Sequence, residues 1–243
     1  MDAVVMAAGE GRRLRPLTTR WAKPVLPIDG HPVVATLVRE LGAAGFEEAW
    51  LVVGHLREQV RALLGDGRGL GVRLRYAEQR EALGSADAVR RAVDAGARPP
   101  LLVAAADTVF APGDVAQALG RWRASGTAGG LAVREVPEHE LPERSSVVAR
   151  NGRLVSVVEK PAPGTAEGRL AGAPLWFLGP ELCRLLQEVP GPPFELATAA
   201  QRALAAGHDL LALPVGPTRD LTRPEDVVSR NFVYLSSLEE TAG

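Results

Sequence analysis

The sequence predicts an α/β fold with a Rossmann-like, doubly wound mixed sheet in a single domain. Up to about residue 111, short apolar runs alternate with amphipathic helical patterns in the order β-α-β-α-β-α-β. This alternation is typical of a parallel sheet covered by helices on both faces. Beyond that point, strand-like runs follow one another closely, as antiparallel strands do. The 243 residues suffice for one domain with a substantial core.

The elements of the first part follow from local signals. Ala3–Ala8 is continuously apolar and stops at Gly9, as a strand buried on both faces should. Pro32 favours the start of a helix. Ser85 is expected to be the N-cap of a later helix, and the fourth strand ends at Asp107. Because parallel strands gather their carboxyl ends at one edge, functional side chains are expected there.

The second part reads as strands and helices of the same domain. The runs "SSVVARNG" and "RLVSVVEK" are joined by a turn signal at Asn151–Gly152, which predicts an antiparallel pair. Further helices are expected near Pro180 and Phe194, and a last one near Pro224. No Pro/Gly cluster marks a clear boundary, so one domain is predicted over residues 1–243. Within it, we distinguish a half covering about 1–111 and a half covering about 112–235.

Composition excludes several classes of protein. The formal net charge is −1, so nothing pulls the whole chain toward nucleic acid or an anionic membrane. Cys183 is the single cysteine, so neither an intrachain disulfide nor an all-cysteine zinc site can form. The first strand-like run begins at Asp2, so no signal peptide is expected, and no run approaches the length of a membrane helix. A cytoplasmic protein that binds neither nucleic acid nor a membrane is expected, and composition does not indicate an oligomeric state.

A glycine-rich loop follows the first strand. Gly9 and Gly11 allow backbone N–H groups to approach an anion closely, while Arg13 and Lys23 supply positive charge. Leu14 stands where a dinucleotide-binding fingerprint needs glycine, and the Gly-Lys-Ser/Thr ending of a P-loop is missing. From these residues alone, a phosphate-binding loop and a polar turn remain equal alternatives.

The longer stretch "MAAGEGRRLRPLTTRWAKPVLP" resembles the signature loop of sugar-phosphate nucleotidylyltransferases, A-A-G-x-G-T/S-R-L-x-P-L-T followed by P-K-P-x-L-P. The resemblance implies their GT-A-like nucleotide-diphospho-sugar transferase fold, with the loop wrapped around a nucleoside triphosphate. It also implies that Arg13 and Lys23 are the catalytic cations. The other nucleotide contacts implied in this loop are Ala8, Gly9, Gly11 and Arg12. Two residues depart from the pattern, since Arg12 replaces Thr or Ser and Ala22 replaces Pro.

Later segments match the same family in order. "QREALGSADAV" resembles the base-reading segment, and "LLVAAADTVF" and "TRDLTRPED" resemble the segments that carry the metal ligands. "VVEKP", "AGAPLWFL" and "FELATAAQRAL" resemble those near the sugar phosphate. The residues implied for the base are Gln79, Gly84 and Ser85. Those implied for Mg²⁺ are Asp107 and Asp220. Those implied for the sugar phosphate are Glu159, Lys160, Gly172 and Glu195. Ala106 and Thr218 depart from the family's Gly and Trp.

The reaction implied is attack of a sugar 1-phosphate on the α-phosphorus of a nucleoside triphosphate, which releases pyrophosphate. Both reactants are anions, so cationic side chains and Mg²⁺ suit the chemistry. A side-chain nucleophile is not needed because the attacking phosphate is already ionised. Mg²⁺ prefers one or two carboxylates together with phosphate oxygens and water.

Gln79 favours one class of base. An amide offers one acceptor and two donors, which can match N3–H and a carbonyl of uracil or thymine, so UTP or dTTP is preferred over GTP. The alternatives left open are GTP with mannose 1-phosphate, and CTP with a non-sugar phosphate. A different class, an inactive nucleotide- or sugar-binding regulatory domain, is motivated by the departures at Arg12 and Thr218.

Overall fold

A nine-stranded mixed sheet forms the centre of the protein. The structure is a computed structural model that describes residues 1–162, 164–165 and 169–232. The strands are β1 (Asp2–Ala7), β2 (Pro27–Ile28), β3 (His31–Pro32), β4 (Glu48–Val53), β5 (Arg73–Glu78), β6 (Leu101–Ala105), β7 (Thr108–Val109), β8 (Gly129–Glu135), β9 (Ser145–Arg150), β10 (Arg153–Glu159), β11 (Leu170–Leu178), β12 (Leu210–Pro214) and β13 (Arg219–Asp220). The helices are α1 (Val33–Ala43), α2 (Arg57–Leu64), α3 (Ser85–Ala95), α4 (Asp114–Ser125), α5 (Pro180–Leu185), α6 (Leu196–Ala205) and α7 (Pro224–Asn231).

The order of the strands confirms the predicted fold class. The main sheet runs β5-β4-β1-β6-β11-β8-β12-β10-β9, and its first four strands are parallel neighbours. Strand β11 then pairs antiparallel with both β6 and β8, β12 is parallel to β8, and β10 and β9 close the edge as antiparallel strands. Both predicted halves therefore contribute to one sheet, and residues 233–243 lie outside the described range.

Helices cover both faces of the sheet. Alternate side chains of β1 point to opposite faces, so Val5 belongs to the core under α1 and α4, whereas Val4 belongs to the core under α3 and α6. Both valines are fully buried, as the uninterrupted apolar run predicted. In the described residues, no helix combines the length and apolar character needed to cross a membrane.

The carboxyl ends of β1, β5 and β6 lie at one edge of the sheet. The glycine loop leaves the carboxyl end of β1, Gln79 follows β5, and Asp107 follows β6. Because β11 is antiparallel to β6, with Leu175 opposite Ala104, its beginning lies at that same edge and brings Gly172 there. The expected gathering of functional side chains at the carboxyl ends is thus a consequence of the topology.

Two local predictions have different outcomes. The turn at Asn151–Gly152 joins β9 and β10 as expected, and both residues have positive φ, as a tight hairpin turn requires. The prediction that Ser85 is an N-cap is wrong, because Ser85 is already the first residue of α3 and Gly84 occupies the cap position. Gly84 has a φ of 111°, which places the chain in a conformation that serine rarely adopts.

Replacing Gly84 by alanine is expected to destabilise the protein by about 2–4 kcal/mol. An added Cβ would lie 2.3 Å from the carbonyl oxygen of Phe194 and 2.6 Å from its nitrogen, so backbone would have to move. Gly45→Ala is the matched control, because Gly45 also has positive φ (90°) but no atom within 4 Å of an added Cβ. Chemical denaturation would compare the two, and an equal loss for both would contradict the steric explanation.

Candidate active site

A cavity of about 260 Å³ opens at the carboxyl edge of the parallel strands. It brings together side chains that are far apart in sequence and that the sequence analysis singled out: Arg13, Ser85, Asp107, Glu159, Lys160, Gly172, Glu195 and Asp220. The remaining candidates lie around it rather than in its wall: Ala8, Gly9, Gly11, Arg12, Lys23, Gln79 and Gly84. Gly11, Arg12, Arg13 and Lys23 line a neighbouring cavity of about 190 Å³.

The glycine loop is held in shape by its own residues. Gly11 has a φ of 62°, and its carbonyl accepts a 2.8 Å hydrogen bond from the buried hydroxyl of Thr18. A Cβ at Gly11 would lie 2.9 Å from Thr18 Cγ2 and 3.2 Å from Lys23 Cβ, so only glycine fits. At Gly9, by contrast, no protein atom lies within 4 Å of an added Cβ. Gly9 therefore leaves open space beside the loop.

Gly54, the residue after β4, lies between the ends of β1 and β5. A Cβ there would lie 2.5 Å from the carbonyl oxygen of Gln79 and 2.9 Å from the Cβ of the buried Ala8. The residue after β5 thereby comes beside the start of the glycine loop. Sequence analysis did not identify Gly54, because a single glycine at the end of a strand carries no specific signal.

Lys23 and Asp107 form an ion pair between the glycine loop and the end of β6. The ammonium of Lys23 donates to Oδ2 of Asp107, and both side chains are largely shielded from solvent. Burial alone would raise the pKa of Asp107, but the charge and hydrogen bond of Lys23 outweigh it and leave that pKa below its usual value. Asp107 is therefore ionised at neutral pH.

Asp220 lies next to the same position. Strand β13 pairs antiparallel with β7, which places Asp220 opposite Thr108, the neighbour of Asp107. The Asp220 carboxylate accepts a 3.1 Å hydrogen bond from Arg144. One carboxylate thus immediately precedes β7 and the other ends its partner strand β13, and each is in contact with a cation.

This donor set fits a Mg²⁺ ion that binds together with a phosphorylated substrate. Mg²⁺ commonly takes one or two carboxylates from a protein and completes its shell with phosphate oxygens and water. In the described part of the chain, no cluster of three or more His, Cys, Asp or Glu side chains could hold a metal by itself. Asp107 and Asp220 therefore suit a shared site rather than an all-protein cage.

The two neighbouring arginines of the loop have different partners. Arg13 donates to Glu143 at 3.1 Å, and Glu143 also accepts from Arg223 at 2.8 Å. Arg12 instead pairs with Glu10 at 2.9 Å, and its side chain is 74% exposed. Arg13 and its partner Glu143 thus line the main cavity, whereas Arg12 lines only the smaller neighbouring cavity and is largely exposed.

Gln79 is almost fully buried, with 5% of its surface exposed. Its amide nitrogen donates to the carbonyl of Gly84 at 3.0 Å and to the carboxylate of Asp87 at 2.8 Å. Both partners are acceptors, so they fix which end of the amide faces them. Among the described residues none donates to Oε1 of Gln79, and the backbone N–H of Gly84 has no acceptor.

Ser85 and Glu195 join two helix N-termini. The Ser85 hydroxyl donates to the Glu195 carboxylate at 2.6 Å and accepts from the N–H of Leu196 at 2.9 Å. Glu195 is the residue before α6. Its carboxylate also lies 3.5 Å from the backbone nitrogen of Ser85, in the first turn of α3, where a negative charge is favourable. This contact connects the base-reading segment to the segment expected near the sugar.

The other sugar-phosphate candidates lie on β11 and at the end of β10. Glu159 accepts a 2.5 Å hydrogen bond from Ser145, and its other oxygen lies 3.8 Å from the ammonium of Lys160. Lys160 has a φ of 45°, an uncommon backbone conformation that is often found at functional sites. A Cβ at Gly172 would lie 3.3 Å from Cβ of Ser145, so glycine keeps this wall of the cavity open.

Several side chains of the site gave no signal in the sequence. Glu143 ends a short 3₁₀ helix, Arg144 follows it, Ser145 begins β9, and Asp87 lies on α3. The partners of Glu143 and Arg144 are more than 70 residues away. The contacts of Ser145 and Asp87 depend on strand pairing and on the direction of a helix face, and neither appears in a sequence pattern. Cys183, on α5, is partly buried, and this burial raises the pKa of its thiol to about 12.

Comparison with known proteins agrees with the geometry. Residues 2–214 match the sequence profile of the nucleotidyl transferase family. The chain is 28% identical over 242 residues to the low-salt glycan biosynthesis nucleotidyltransferase Agl11 of Haloferax volcanii, covering 97% of this chain and 66% of the relative. It is 28% identical over 246 residues to the glucose-1-phosphate thymidylyltransferase of Streptomyces griseus, covering 98% of this chain and 67% of the relative.

A third relative has a similar length to this chain. The UTP–glucose-1-phosphate uridylyltransferase AglF of Haloferax volcanii is 29% identical over 233 residues, which cover 93% of each chain. A solved structure of UDP-glucose pyrophosphorylase in complex with UDP-glucose has the same fold, with a TM-score of 0.82, 21% identity and coverage of 97% of this chain and 98% of the other.

The chain spans about two thirds of the length of the first two relatives, and nearly all of its residues take part in each match. The family profile covers the glycine loop, the base-reading segment, Asp107, the Glu159–Lys160 pair and Glu195. The resemblance to sugar-phosphate nucleotidylyltransferases is thereby confirmed, and the chain belongs to the nucleotidyl transferase family.

Proposed function

We propose that the protein condenses a sugar 1-phosphate with a nucleoside triphosphate to give a nucleotide sugar and pyrophosphate. The observation that carries this proposal is the Lys23–Asp107 pair, which joins the glycine loop to the carboxylates at the ends of β6 and β13 beside a single cavity. The named activities of the relatives support the same reaction class. We propose the cytoplasm as its location, where the free thiol of Cys183 is stable.

Cationic side chains bring the two anionic reactants together. Arg13 and Lys23, which line one cavity together with Gly11, bind the triphosphate, and the open space at Gly9 lets the backbone approach it. The attacking oxygen belongs to the sugar phosphate, which is already ionised, so no residue has to remove a proton. Arg13 and Lys23 stabilise the charge that builds up on the α-phosphate and on the departing pyrophosphate.

Asp107 and Asp220 are the residues that fit Mg²⁺, which when bound supplies further positive charge to the phosphates. Lys23 donates to Asp107, so the same carboxylate also fixes the position of the lysine ammonium at the end of β6. Lys160 lies at the opposite wall with Glu159, where it suits the phosphate of the sugar. Gly172 and Glu195 complete that wall and suit the sugar ring and its hydroxyls.

The two halves of the chain then have separate tasks. Residues 1–111 provide the glycine loop and the base-reading segment, and residues from 112 to about 235 provide the wall for the sugar phosphate. Asp107 and Asp220 come from different halves, but Asp107 immediately precedes β7, and Asp220 lies on β13, the strand that pairs with β7. The reacting phosphates are expected between them.

The free groups near Gln79 favour uracil or thymine. Its Oε1 can accept from N3–H while the N–H of Gly84 donates to a neighbouring carbonyl of the base. Cytosine and adenine present an acceptor where this pair requires a donor. Guanine has a matching N–H and carbonyl, but its additional amino group finds no acceptor in this pair. UTP and dTTP are therefore the preferred nucleotides.

A pyrophosphate-release assay with Mg²⁺ tests the reaction and its nucleotide together. UTP, dTTP, GTP, CTP and ATP would each be combined with a panel of phosphorylated sugars and with choline and inositol phosphates. Release with UTP or dTTP is expected. Release only with GTP or CTP would keep the reaction class and reject the proposed base recognition. Nucleotide binding without release in any combination would instead support a regulatory domain.

Arg13→Ala is expected to lower turnover by about 10²–10³-fold, because it removes one donor to the developing phosphate charge. Stability should change by less than about 1 kcal/mol, since the contact of Arg13 with Glu143 is an exposed ion pair. Arg20→Ala is the control, because Arg20 is an exposed arginine of the same loop whose side chain has no ion pair among the described residues. Steady-state kinetics with unchanged turnover would remove Arg13 from its proposed role.

Asp107→Asn is expected to abolish Mg²⁺-dependent turnover and to weaken the protein at neutral pH. Because the pKa of folded Asp107 lies below its usual value of 3.8, the pair stabilises the protein fully above that value. This stabilisation is lost as the pH falls through the lower, folded pKa. Denaturation curves should therefore differ at pH 7 and converge in acid, and a constant difference across this range would contradict the ion-pair explanation.

A further inference from the structure

A buried carboxylate, that of Asp87, contacts Gln79, the residue proposed to recognise the base. Asp87 lies in the first turn of α3 and is only 5% exposed. Burying a charged group is costly unless it has partners, and Asp87 has two. It accepts from the amide of Gln79 at 2.8 Å and pairs with Arg91 at 3.2 Å. A carboxylate that only interacted favourably with the dipole of α3 could do so from the exposed face of the helix, without a contact to a buried side chain.

The geometry points to Asp87 as a positioning residue that sets base specificity by fixing the orientation of the Gln79 amide. This inference rests on the proposed function and extends it to a residue that does not itself contact the base. Both acceptors around the amide nitrogen, Asp87 and the Gly84 carbonyl, face the same end of the group. The oxygen of Gln79 is then the only amide atom left for a ligand, so a base must present a donor to it.

Arg91 makes the arrangement sensitive to a single atom. Its guanidinium lies against both oxygens of Asp87: Nη2 is 3.2 Å from Oδ1, and Nε is 3.5 Å from Oδ2, the oxygen that also accepts from Gln79. An asparagine at position 87 has a single oxygen. Because charged donors form the stronger hydrogen bonds, that oxygen suits the closer contact with Arg91 Nη2, which leaves the NH₂ group facing the NH₂ group of Gln79. Two donors repel each other, so turning the Gln79 amide becomes favourable even though the Gly84 carbonyl opposes it. A turned amide offers hydrogens to the base in place of its oxygen.

The experiment compares the ratio of kcat/KM for CTP and UTP in the full chain, with the sugar phosphate that supports the fastest turnover. Cytosine carries an acceptor where uracil carries N3–H, so the two triphosphates report the amide orientation. Asp87→Asn is expected to raise the CTP/UTP ratio about tenfold, the effect of one misplaced hydrogen bond. Asp94→Asn is the matched control on the same helix, because Asp94 is exposed and has no partner among the described residues.

A double-mutant cycle separates positioning from a general structural role. If Asp87 acts through Gln79, then Asp87→Asn should leave the CTP/UTP ratio unchanged in a Gln79→Ala background. A similar change of the ratio in both backgrounds would overturn the inference. So would an unchanged ratio in the single variant, provided that the wild-type protein turns over UTP.

A second pair of variants keeps the test decisive if Asp87→Asn fails to fold. Asp87→Glu and Asp87→Gln have the same length, but only glutamate keeps two acceptor oxygens. The glutamate variant should retain the preference for UTP, whereas the glutamine variant should lose it. Equal ratios for these two would reject the role of Asp87 alone, while absence of turnover by the wild-type protein with every nucleotide would reject the proposed reaction itself.

Discussion

Pairing of charges across the cavity is the interaction on which the site depends. Lys23 contacts Asp107, Arg144 contacts Asp220, Arg13 contacts Glu143, and Lys160 lies near Glu159. Each cation suited to a phosphate therefore already has a carboxylate partner within the protein. This explains how a chain of net charge −1 can hold a concentrated group of cations without repulsion between them. In the proposed reaction, the phosphates of the substrates would take the place of carboxylates as partners of these cations.

The sequence predicted the fold, and with it the meeting of many candidate residues at one cavity, because both leave local patterns. The alternation of strands and helices follows from apolar periodicity, and the parallel order then brings the end of β1, Gln79 and Asp107 to one edge. Side-chain direction leaves no such pattern. Ser85 looked like an N-cap by residue type, but the close approach of Phe194 requires glycine at the cap position, and the serine hydroxyl serves Glu195 instead.

The same limit applies to the charged residues that sequence analysis did not identify. Glu143 and Arg144 belong to a segment without a distinctive pattern, and their importance comes from contacts with Arg13 and Asp220 across the cavity. Gln79 shows the limit at the level of single atoms. Its residue type suggested an amide that uses both donor and acceptor on a base, but the protein occupies the donors through Gly84 and Asp87.

The glycines of the matching motifs show how a structure separates two reasons for one residue type. Gly11 and Gly84 are required by the protein itself, because a Cβ at either position meets neighbouring atoms and their φ values are positive. Gly9 meets no atom within 4 Å, so the fold alone does not demand glycine there. Open space at a glycine is not itself a sign of a ligand, since Gly45 and Gly120 have it too. What distinguishes Gly9 is its place in the loop after β1, where under the proposed function a phosphate would approach the backbone closely.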